Sequence, residues 1–119
     1  MTAVEALVQQ ARQAWLEGDA HSFAILFVED GEFIAPGHRW VGHSQIFQAV
    51  MDYAAAYDEV SIEIHRIIQD RERFVVEWSW RDREKATGKC TYAEDAIVVD
   101  LKQGKIQRWR EYIDVVESN

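Results

Sequence analysis

The chain has 119 residues, 48% of them hydrophobic and 29% charged, which is room for one hydrophobic core and excludes a disordered or collagen-like protein. Thirteen Lys and Arg against twenty-one Asp and Glu leave a formal charge of -8, which repels phosphate backbones and anionic lipid, so neither nucleic acid nor membrane is an expected partner. Cys90 is the only cysteine, which rules out an internal disulfide and a thiolate zinc cluster. A reducing, cytoplasmic setting is expected, because the first fifteen residues are amphipathic, with no cationic start and no unbroken apolar run.

Val4, Leu7, Val8, Ala11 and Trp15 recur at steps of three and four and predict a first helix, opened by a Thr2/Glu5 capping box and stopped at Gly18. Asp19 caps a short second helix with Phe23, Leu26 and Phe27 on one face. Glu32 to Pro36 and Arg39 to Val41 read as a small hairpin. Ser44 then caps a third helix, whose apolar stripe is Ile46, Phe47, Val50, Met51, Ala54 and Tyr57 and which ends near Asp58. From Val60 the period drops to two, and four long antiparallel strands follow, with turns at Asp70 to Arg73 and Lys102 to Lys105 and a polar connection through Gly88. On the second of these, Phe74, Val76, Trp78 and Trp80 share one face. The whole is an α+β domain spanning 1–119, with its helices gathered on one face of the sheet.

Within that order, Leu26-Phe27-Val28-Glu29-Asp30-Gly31, Trp40-Val41-Gly42-His43 and the run from Gly104 to Asp114 resemble the nuclear transport factor 2-like superfamily, in its SnoaL-like branch. Its members include polyketide cyclases, ketosteroid isomerases, limonene epoxide hydrolases and non-catalytic binders. The resemblance implies a curved, mostly antiparallel sheet wrapped around a long helix, a cystatin-like cone with a deep apolar pocket. It also marks departures. Ala35 stands before Pro36 where the isomerase pattern has its proton-shuttling base, and Asp95 is the closest counterpart of that pattern's neutral, hydrogen-bond-donating acid. Trp78 and Trp80 stand at the epoxide hydrolase Arg/Asp pair, and Phe33 and Ala35 at its water-holding pair. Only the Asp of the last strand, Asp114, is retained, and the polyketide cyclases use an Asp there too.

The candidate catalytic residues are therefore Asp114, Asp95 and Tyr112, and the candidate ligand-binding residues are Phe33, Trp78, Trp80 and Trp109. Asp95 shares parity with Ile97, Val99 and Leu101, which points it into the cone, where a carboxylate needs a partner or a proton. Asp114 raises a parity conflict: with Trp109 inside, strict alternation sends Glu111 and Ile113 inward and Asp114 outward. A bulge would turn Asp114 in, and Asp114 inward is the expectation, with Glu111 as its substitute. His21, His38, His43 and His65 form no metal-ligand spacing, Cys90 has no triad around it, and no cofactor is expected. The expected ligand is a small apolar or cyclic molecule. The reaction would be cofactor-independent proton transfer of the isomerase, cyclase or dehydratase type, with a non-catalytic ligand-binding or dimeric interaction module as the alternative. The outer sheet face, from Val75, Glu77, Ser79 and Arg81 through Glu94, Ala96, Val98 and Asp100, mixes apolar groups with opposite charges and suits a C2 homodimer.

Overall fold

A computed structural model describes residues 1–119. Helix α1 (Ala3–Glu17) opens with the Thr2/Glu5 capping box and closes on Gly18 in the left-handed conformation, and α2 (Ala20–Ala24) is capped by the Asp19 side chain. Strands β1 (Phe27–Ala35) and β2 (His38–Val41) form the small hairpin. Helix α3 (His43–Ala56) leads into β3 (Tyr57–Asp70), β4 (Arg73–Glu84), β5 (Cys90–Lys102) and β6 (Lys105–Ser118).

All six strands make one sheet, ordered β2-β1-β6-β5-β4-β3. Every pairing is antiparallel except β1 with β6, which run parallel. The β5–β6 turn is a two-residue Gln103-Gly104 reversal with positive φ at both positions, matching the twist of the strands it joins. At Gly31 the β1–β6 register shifts, and an added Cβ would lie 3.0 Å from Phe27 and 3.1 Å from the Ile106 carbonyl. Glycine there lets the two strands approach.

The core lies between the sheet's inner face and the helices. Val4, Leu7, Val8, Ala11 and Trp15 of α1 meet Phe23, Phe27, Phe74, Val76, Trp78, Ile97, Val99 and Trp109, all of them buried. Arg12 fixes α1 to the sheet by donating from Nε to the Ile62 carbonyl at 2.7 Å. No helix is long and apolar enough to cross a membrane.

Three expectations for α3 change. Its N-cap is Gly42 rather than Ser44, with no side-chain cap hydrogen bond, because the chain turns into the helix directly from the β2 hairpin. Its buried stripe is Ile46, Ala49 and Val50, continued by Tyr53, while Phe47 and Met51 stand 39% and 45% exposed. Nothing in the structure explains the apolar residues at 47 and 51. The helix also stops at Ala56, so Tyr57 and Asp58 begin β3. The blurred pattern at Ile67 and Ile68 follows a register shift between Ile64 and Arg66, which swaps the strand's faces.

Candidate active site

Where the helices leave the sheet uncovered, a cavity of about 550 Å³ opens. Aromatic residues from every layer line it: Trp15 from α1, Phe33 and Trp40 from the hairpin, Tyr53 from α3, Tyr57 from β3 and Trp80 from β4. Two stacked groups stand on opposite edges of the sheet. Phe33 lies against Trp40 with ring centres 4.8 Å apart, with His38 over Trp40 at 5.4 Å, and Tyr53 lies against Tyr57 at 4.8 Å. Trp78 and Trp109 face the same way but are fully buried, with ring centres 5.9 Å apart, so they form packed structure beneath the cavity and do not line it. Of the four aromatic residues expected to contact ligand, Phe33 and Trp80 reach the cavity wall. Trp78 and Trp109 sit one layer back, against each other and, for Trp109, against Phe23 of α2 with ring centres 5.4 Å apart.

Their indole N–H groups meet the two inward carboxyl groups. Trp78 Nε1 donates to Asp95 Oδ2 at 3.2 Å, and Trp109 Nε1 donates to Glu111 Oε2 at 2.8 Å. Asp95 is 7% exposed, and its Oδ1 is buried with no hydrogen-bond partner. Burial raises its pKa to about 6, with the nearby Asp82 charge adding to the rise and the Trp78 hydrogen bond opposing it. Burial also raises Glu111, to about 8, helped by Asp95 and opposed by Trp109. Asp95 pairs with Ile113 across β5–β6, so Glu111, two residues earlier, is its diagonal neighbour, a relation that spans roughly 7–8 Å along a sheet.

A third acid, Asp82, stands on the β4 wall of the cavity. Tyr53 donates its hydroxyl proton to Asp82 Oδ2 at 2.5 Å, and Trp80 Nε1 lies 2.8 Å from the Tyr53 oxygen and 3.2 Å from Asp82 Oδ2. Burial and the Asp82 carboxylate push the Tyr53 pKa well above its ordinary value, so this hydroxyl keeps its proton. Asp82 extends the Phe74-Val76-Trp78-Trp80 alternation by one step, and that parity was the signal for it. Tyr53 follows Ile46, Ala49 and Val50 on the true stripe of α3.

Asp114 does not face this cavity. The strand alternates without interruption from Trp109 through Glu111, Ile113 and Val115, and the two β5–β6 register shifts fall outside that run, one before it between the Leu101–Ile106 and Asp100–Arg108 pairs and one after it between the Ala93–Val115 and Tyr92–Glu117 pairs. No bulge exists where one was needed, so Asp114 lies exposed on the outer face, opposite Glu94, where it lines a separate depression with His65 and Glu77. Tyr112 is likewise outside, 49% exposed, with the Arg110 guanidinium over its ring at 4.8 Å. Glu111 takes the inward position instead. No three His, Cys, Asp or Glu side chains come together in a way that could hold a metal ion.

The SnoaL-like domain model matches residues 8–109, and the chain belongs to that family. Among solved structures, a protein with a ketosteroid isomerase-like fold from Catenulispora acidiphila, in complex with trimethylamine, superposes with a TM-score of 0.84 at 18% identity, covering 89% of this chain and 83% of that one. An NTF2-like protein of unknown function from Burkholderia pseudomallei gives 0.84 at 16%, covering 96% and 92%. An LEH-like epoxide hydrolase of M. tuberculosis gives 0.79 at 18%, covering 94% and 83%. At these identities the likeness is one of fold. No curated protein matches the chain by sequence.

Proposed function

We propose that the protein binds a small, mostly apolar, cyclic molecule in the aromatic cavity and moves a proton within it without a cofactor. One observation carries this reading: two carboxyl groups, Asp95 and Glu111, face the same cavity from adjacent strands, each holding a hydrogen bond from a buried indole N–H. With pKa values near 6 and 8, Asp95 is mainly ionised at neutral pH and Glu111 mainly protonated. A base and an acid are thus ready together, on adjacent strands, each steadied by an indole.

For a ketone held between them, Asp95 takes a proton from the carbon next to the carbonyl. The C–H electron pair shifts to form the enol double bond, and the carbonyl oxygen gains its charge within reach of the Glu111 O–H, which donates to it. When Asp95 swaps the abstracted proton with solvent before returning one to the same carbon, the result is exchange; delivery to another carbon gives isomerisation, and in both cases Glu111 recovers its proton from the enol oxygen as the carbonyl re-forms. Trp15, Trp80 and Phe33 exclude water from the reacting atoms. Ala35, at the position of the isomerase base, leaves Asp95 as the group that removes the proton. The same chain is proposed to pair as a C2 dimer through the outer sheet face, clear of the cavity.

Deuterium exchange tests the reading. Small cyclic ketones incubated in D2O with the protein and followed by NMR should gain deuterium beside the carbonyl faster than in buffer. Asp95→Asn should stop the gain. Binding of the same ketones with no exchange would leave a ligand-binding module and refute the enzyme.

A further inference from the structure

The cavity's charges are one-sided. Asp52, Asp82, Asp95 and Glu111 line it, with no Lys or Arg among its walls and only His38 as a potential cation. Elsewhere four acids, Glu32, Asp58, Glu77 and Asp100, each hold an arginine within 3.0 Å. Inside the cavity that matching stops. The buried Asp95 Oδ1 has no partner of any kind, and a desolvated carboxylate in that state is costly unless something completes it. The acids do not converge on a metal position, so the missing charge does not fit a bound ion.

The walls suit an organic cation. Ring faces carry negative charge density, and Trp80, Tyr53 and Tyr57 cluster beside Asp82, with Trp80 and Tyr53 centres 5.6 Å apart. A protonated amine beside such faces gains both from the rings and from the carboxylates, while its hydrocarbon body meets Phe33, Trp15 and Trp40. An anion of the same shape meets Asp52, Asp82 and Asp95, with only His38 among the walls as a potential cation to offset them.

Resting on the proposal that this cavity takes a small cyclic ligand, we infer that the ligand carries a protonated amine, selected by Asp82 and Asp95 together with the faces of Trp80, Tyr53 and Tyr57. The cavity discriminates by charge first and by shape second. Anionic molecules, including carboxylates and phosphate esters, are excluded.

A three-member series with one ring tests this by titration calorimetry at neutral pH: cyclohexylamine as the cation, cyclohexanol as the neutral molecule and cyclohexanecarboxylate as the anion. The amine should bind about tenfold or more tighter than the alcohol, and the carboxylate should not bind measurably. In Asp82→Asn and Asp95→Asn the amine-to-alcohol ratio should fall. In the double variant it should approach one, with circular dichroism confirming the fold. If the alcohol binds as tightly as the amine, the charge selection is wrong while the cyclic-ligand reading survives. If none of the three binds, that reading itself fails. A double variant that stays folded and keeps the full preference would also overturn the assignment.

Discussion

The two faces of strands β5 and β6 carry similar residues to opposite ends. Asp95 and Glu111 point inward, against indole rings, and their pKa values rise to about 6 and about 8. Glu94 and Asp114, one and three positions along the same strands, face each other on the outer surface in the open. Tyr53 inside is clamped between Asp82 and Trp80, whereas Tyr112 outside lies under the Arg110 guanidinium with half its surface wet. Side-chain type alone therefore says little about chemistry here. A step of one residue along a strand decides whether a carboxyl group is a solvated charge or a desolvated acid.

That contrast can be broken directly. Asp95→Asn should slow ketone exchange by about 10²–10⁴-fold, and Asp114→Asn should leave it within about twofold; an equal loss in both would mean the outer face reaches the substrate. Trp78→Ala should cost about 3–5 kcal/mol in urea unfolding, against less than about 1 kcal/mol for Tyr112→Ala, since only the former empties packed volume.

The pH dependence sharpens the contrast further. Exchange rate against pH should trace a bell whose limbs fall near pH 6 and pH 8, as Asp95 gains its proton below and Glu111 loses its own above. Because the folded chain raises the Glu111 pKa from its ordinary 4.5, the stability from the protonated form is complete below that value and is lost as pH rises through about 8. Glu111→Gln keeps a neutral side chain there, so its Tm at pH 9 should exceed the parent's by a few degrees, with little difference at pH 5. The smallest expected effect concerns the outer face. Gel filtration at micromolar concentration should show twice the chain mass, and a monomer would leave that surface without its proposed partner.

Much of this was legible in the sequence because the signals were local. The capping box at Thr2 and Glu5, the stop at Gly18 and the alternation of β4 and β5 depend on near neighbours, and they placed Asp95 on the inner side. The errors arose where a remote pattern outweighed a local one. Likeness to polyketide cyclases and epoxide hydrolases favoured an inward Asp114, while simple alternation from Trp109 already placed Glu111 there. Tyr53 was obscured because Phe47 and Met51 make α3 apolar on two flanks, and its partner Asp82 lies across the fold on β4. A contact of that kind exists only after tertiary packing, and spacing along the chain does not encode it.

The lone parallel seam between β1 and β6 has a consequence for how the molecule assembles. Phe33, an early residue, sits beside Trp109, a very late one, and the strand bearing Glu111 is wedged between β1 of the hairpin and β5. Neither half of the chain can enclose a chamber alone, since the first strand waits for the last before its edge is satisfied. Closure over such sequence distance slows folding. The chamber is therefore complete only once that long-range seam has formed.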